Sequence, residues 1–130
     1  VPSTFFTDVT KSREVSVDEI VSIETSSICP SVLLKSGKEI RIDSAKRVAL
    51  VVRALRAWED QNGLLQIWQH VTSSRLIRVD LIETAVRTPG YEYVTLAASN
   101  DDYRIIPDCV SSFFGRRNQW LNDQFADLRH

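Results

Sequence analysis

Val9-Thr10-Lys11-Ser12-Arg13-Glu14-Val15-Ser16-Val17-Asp18-Glu19-Ile20 returns 62 positions later as Val71-Thr72-Ser73-Ser74-Arg75-Leu76-Ile77-Arg78-Val79-Asp80-Leu81-Ile82. At the same offset Val32 and Leu34 fall on Val94 and Leu96, Val48 on Val110, and Trp58 on Trp120. Apolar pairs fill the intervals: Phe6 with Trp68, Val15 with Ile77, Val51 with Phe113, Val52 with Phe114. Arg41-Ile42 meets Arg104-Ile105 only after a shift of one. That shift places a one-residue insertion in the Asn100-Asp101-Asp102 turn, where insertions are tolerated. Self-similarity at a fixed period is the mark of a repeated structural unit. The chain reads as two modules, residues 1–62 and 63–130.

The pattern inside each module is strands followed by one helix. In the first, Phe5 to Thr10, Glu14 to Val17, Ile20 to Thr25, Ser31 to Lys35 and Glu39 to Asp43 have strand character, with a hairpin turn at Ser36-Gly37-Lys38. Ser44 then suits an N-cap, and Val48, Val51, Val52, Leu55 and Trp58 recur at helical spacing up to a stop at Gly63. The second module repeats this order. Leu65 to Val71, Leu76 to Val79, Leu81 to Val86, Tyr91 to Ala97 and Tyr103 to Ile106 read as strands, with turns at Thr88-Pro89-Gly90 and Asn100-Asp101-Asp102. Asp108 is the expected cap of a helix whose apolar stripe is Val110, Phe113, Phe114, Trp120 or Leu121, Phe125 and Leu128, with Gly115 weakening its start. A lone meander leaves a sheet face and edges uncovered. The expected fold is α+β: two β-meander-plus-helix modules packed into one compact unit with approximate internal two-fold symmetry.

Composition narrows the function classes. With 43% hydrophobic residues the chain can bury a core, which excludes wholesale disorder. Sixteen basic against seventeen acidic residues give a formal net charge of -1, so no global field draws the protein to nucleic acid or anionic lipid. The longest apolar runs, such as Val48 to Val52, are far short of a membrane span, and no signal-peptide pattern opens the chain. A cytoplasmic protein without membrane contact is expected. Cys29 and Cys109 stand alone, without CxxC spacing or nearby histidines, and read as buried free thiols rather than a single disulfide.

Catalytic chemistry finds little to work with. His70 and His130 are the only histidines; His130 ends the chain and His70 falls on the exposed side of a strand. HExxH, zinc-type Cys/His spacing, calcium loops, GxSxG, GxGxxG and GxxxxGK are all missing from the sequence, and neither a metal nor a cofactor is expected. Asp18 and Asp80 occupy equivalent positions, where an Asp can bond nearby amides and fix a turn. Arg13 and Arg75 also recur and suit cross-strand or turn-closing contacts. On the first helix Lys46 and Arg53 lie opposite the apolar stripe with Arg47 and Arg56 flanking, a basic face suited to phosphate contact. Tyr91, Tyr93 and Tyr103 cluster in one sheet region without the basic interleaving of a base-stacking platform.

Two resemblances bear on function. Val9-Thr10, Arg13, Val17-Asp18, Ile20 and Ile23-Glu24, followed by Val32 to Leu34, Gly37 and the helix from Ser44, resemble the small FlbD-like (SwrD-like) proteins encoded with bacterial flagellar genes. The likeness covers about the first fifty residues and, more loosely, residues 68 to 118, and it implies a non-enzymatic accessory protein. Residues 15 to 106 are also similar to the LytTR DNA-binding domain, β-rich with a central helix, which implies a bacterial transcription regulator. The leading expectation is a non-catalytic protein–protein interaction or assembly module acting on a protein partner or a second copy through a sheet edge or inter-module groove. Trp58 and Trp120 are its candidate contacts if they are exposed rather than core. Nucleic-acid binding through Lys46, Arg47, Arg53 and Arg56 stands second.

Overall fold

A computed structural model describes residues 6–128, so Phe5 and His130 lie outside the described residues. The chain runs through β1 (Phe6–Thr10), β2 (Arg13–Ser16), a 3-10 turn (Val17–Glu19), β3 (Ile20–Glu24), β4 (Ser31–Leu34), β5 (Glu39–Arg41) and α1 (Ala45–Gln61). It continues through β6 (Trp68–His70), β7 (Arg75–Arg78), a second 3-10 turn (Val79–Leu81), β8 (Ile82–Thr88), β9 (Tyr91–Leu96), β10 (Asp102–Arg104) and α2 (Pro107–Leu128). The class is α+β, and the order of elements after residue 67 follows the order before it.

Strand pairing is less regular than element order. All strands pair antiparallel, in a hairpin β1-β2, a sheet β10-β9-β8 and a five-stranded sheet β5-β4-β3-β7-β6. The five-stranded sheet joins the halves: Ser22, Ile23 and Glu24 of β3 lie opposite Ile77, Leu76 and Arg75 of β7. A two-fold relation would also pair β2 with β8. Among the described residues that pairing is absent, and β8 forms one edge of its sheet. One continuous core includes Ile20, Ile23, Leu55, Trp68, Ile77, Leu96, Ile105 and Phe113. Each helix packs against the first strand of its own half, α1 on β1 and α2 on β6.

Local chemistry accounts for where elements begin and end. The Ser44 Oγ accepts a hydrogen bond from the Arg47 amide at 3.2 Å, the N-cap its sequence suggests. Gly63 ends α1 with φ at +67°, a left-handed conformation that glycine tolerates. Gln66 has φ +61°, so Leu65 and Gln66 form a turn and β6 starts only at Trp68, later than the expected Leu65. The second helix begins at Pro107, whose fixed φ and missing N–H suit a first helical position, so Asp108 is not the cap. Gly115 does not interrupt it. Phe113 and Phe114 are buried and Trp120 is half-buried, but Phe125 is 55% exposed, because a 22-residue helix of about 33 Å outruns the core.

Arg78 sits at the junction of the halves and is only 4% exposed. Its Nε and Nη2 donate to the two oxygens of Asp80 at 3.1 and 2.8 Å, and its Nη1 donates to the Asp18 carbonyl at 2.9 Å. The guanidinium lies 4.5 Å from the centre of the Trp58 ring. Asp18 and Asp80, expected to bond nearby amides, are thus drawn to a side chain; the Asp18 carboxylate also pairs with Lys35 at 3.2 Å. Arg78→Ala should lower unfolding free energy by about 3–5 kcal/mol, since it strands the Asp80 carboxylate in a largely dry site. Asp18→Ala keeps the carbonyl acceptor and loses only a half-exposed carboxylate, so a loss below about 1 kcal/mol is expected. Urea denaturation of both variants measures the difference.

Candidate nucleic-acid interface

The outer face of α1 carries the basic residues that the sequence groups together, but the structure divides them. Val48, Val51, Leu55, Trp58 and Glu59 turn inward. Lys46 and Arg53 are exposed, seven residues apart, so they stand on one side of the helix about 10.5 Å apart along its axis. Neither has an ion-pair partner among the described residues. Ala49 and the 45% exposed Leu50 lie between them.

Arg47 and Arg56 are held by carboxylates. Asp43 accepts from the Arg47 Nε at 2.6 Å and from the Lys11 amide at 2.9 Å, tying the β1–β2 turn to the start of α1. Burial pushes the Asp43 carboxyl up, but the hydrogen bonds from Arg47 and Lys11 and the Arg47 charge outweigh it and leave the group below its ordinary value of 3.8. Arg56 donates to both oxygens of Glu59 at 3.0 and 3.1 Å and to the Trp68 carbonyl at 3.1 Å. Glu59 in turn accepts from the Trp68 amide at 2.8 Å.

Other singled-out residues serve the fold. Arg75 bridges β7 to β3 through Glu24 at 3.3 Å and the Ser22 hydroxyl at 3.0 Å, and lies 5.0 Å from the centre of the Tyr103 ring. Arg13, its counterpart in the repeat, is exposed. Trp58, at 6% exposure, is core beneath Arg78 and offers no contact surface; Trp120 packs half-buried against the same core. His70 is exposed at the end of β6. Cys29 is exposed in the segment joining β3 to β4, against the expectation of a buried thiol, and Cys109 is half-buried; both are free. Tyr91 and Tyr93 are ring neighbours at 5.3 Å, whereas Tyr103 packs against the core. No helix among the described residues is long and apolar enough to cross a membrane.

Glu59 escapes a reading of composition, because a glutamate near a helix end usually faces solvent. Its position, four residues after Leu55 and beside Trp58, lies within the apolar stripe. A charge there signals an internal ion pair.

No family model matches the chain, and no curated protein matches it by sequence. In three dimensions it is similar to the LytTr DNA-binding domain of a methyl-accepting/DNA response regulator from Bacillus cereus. The TM-score is 0.55 at 10% identity, over 88% of this chain and 95% of that one. The fold is LytTR-like. This likeness overturns the leading expectation of a protein–protein interaction module and favours the LytTR alternative, over a larger share of the chain than residues 15 to 106.

The Asp43 contacts can be tested by titration. Arg47→Ala should raise the Asp43 pKa toward 3.8, as followed by carboxylate-detected NMR. Because the folded-state value is depressed, the stabilisation from Asp43 is in place above pH 3.8 in the unaltered protein. It fades as pH falls through the lower folded-state value, and in the variant this fading should largely disappear.

Proposed function

We propose that this chain is a non-catalytic DNA-binding domain that contacts the phosphate backbone through Lys46 and Arg53 on the outer face of α1. The observation that carries the reading is the LytTR-like fold, matched along nearly the full length of a domain described as DNA-binding. The pairing of charges supports the choice of face. Arg47 and Arg56 already have carboxylate partners, while Lys46 and Arg53 are exposed without an ion pair among the described residues. Phosphate contacts by such cations release condensed counterions and make affinity fall steeply with salt. With a net charge of -1, the protein has no general basic field to hold DNA, so binding depends on a small number of local contacts.

Anisotropy titration with mixed-sequence duplex DNA, between about 50 and 200 mM salt, tests the reading. Salt-dependent binding is expected in the unaltered protein. The double variant Lys46→Gln, Arg53→Gln should bind more weakly and lose about two units from the slope of log K against log salt, roughly one per phosphate contact removed. Absence of DNA binding overturns the function, and an unchanged slope in the variant overturns the face.

A further inference from the structure

A cleft of about 760 Å³ opens between α2, β6 and the last turns of α1. Pockets of this size accommodate small organic ligands. Its hydrogen-bonding inventory is unbalanced. The Glu59 carboxylate in its wall is already occupied by Arg56 and the Trp68 amide. Two residues of its lining each carry a buried donor without an acceptor among the described residues: the indole Nε1 of Trp68, a residue 1% exposed, and Nη1 of the half-buried Arg116. Arg116 is anchored through its Nε, which donates to the Leu65 carbonyl at 3.0 Å, and it has no carboxylate partner among the described residues. With Arg56 and Glu59 compensating each other, Arg116 leaves the cleft with an uncompensated positive charge. Buried donors without acceptors are uncommon in folded proteins, and a guanidinium with a free Nη favours an oxyanion such as a carboxylate or phosphate.

The α2 wall points the same way. Gly115 stands inside a long helix, where glycine costs stability relative to alanine. Its φ is not left-handed, and a Cβ built on it meets nothing within 4 Å. Neither backbone conformation nor packing demands a glycine there. Its effect is to leave the helix bare where it lines the cleft, beside Ser111 and Ser112.

We propose that this cleft binds a small organic oxyanion, a carboxylate or phosphate held by the Arg116 guanidinium, with Trp68 beside it in the cleft lining. The proposal stands apart from the DNA-contacting face of α1 and does not rest on it. In the test, isotope-labelled protein is titrated separately with inorganic phosphate and with acetate, each against sodium chloride at equal ionic strength. The Trp68 indole N–H resonance is followed by NMR. A saturable shift with either anion beyond the chloride control is expected, and the arm that produces it names the headgroup. Gly115→Leu should fill the cleft and weaken binding by at least about tenfold while its thermal midpoint stays level or rises. Arg116→Gln should weaken binding by about tenfold through loss of a charge-assisted hydrogen bond. No saturable shift with either anion overturns the proposal, as does unchanged binding in Gly115→Leu. A Trp68 shift with duplex DNA but not with the free anions also overturns it, assigning the donors to the nucleic-acid backbone.

Discussion

A guanidinium taken out of water must have its charge balanced and its donors occupied, or the fold that holds it loses stability. Arg78 meets that demand with groups from both halves of the chain: Asp80 just after its own strand, the Asp18 carbonyl in the turn between β2 and β3, and the ring of Trp58 on α1. The β3–β7 pairing lies beside this clamp, with Arg75, Glu24 and Ser22 on those strands and Ser74 just before β7 forming a second polar bridge. Ser16 occupies the position corresponding to Arg78 in the first half and is too short to make an equivalent clamp. The hairpin β1-β2 is instead held to α1 through Lys11 and Asp43, and β8 keeps an edge unpaired among the described residues.

Part of the positive charge on this protein is therefore committed to the fold. Arg47, Arg56, Arg75 and Arg78 each meet a carboxylate, and the cation–π contacts of Arg75 and Arg78 bind them further to the core. Counting basic residues on α1 overstates the field that the helix presents. Exposed, unpaired cations keep their charge available to a polyanion, whereas paired ones would have to break an existing contact first. Among the four cations of α1, the pairing pattern leaves Lys46 and Arg53 without a carboxylate partner among the described residues.

The cleft beside α2 has different chemistry from that face. Its lining includes Trp68 and Arg116, each with a buried donor that has no acceptor among the described residues, and the stretch of α2 at Gly115. Arg116 and Trp68 are about fifty residues apart in the chain, and neither belongs to a motif. The only local hint is Gly115, a residue that weakens a helix without any steric excuse.

Periodicity carried the element plan: strand alternation, the Ser44 cap, the apolar stripe of α1 and the stop at Gly63 are local matters of side-chain spacing and backbone preference, and they hold in the structure. The α+β class followed from them. Several boundaries slipped, two of them where one residue's backbone geometry prevailed: Gln66 in its left-handed turn and Pro107 at the head of α2. Strand partners, the burial of Trp58 under Arg78, the recruitment of Glu59 by Arg56 and Trp68, and the division of the α1 cations into paired and free depended on contacts across long sequence separations. Charge and burial belong to a residue's surroundings, and those surroundings exist only once distant segments have been brought together.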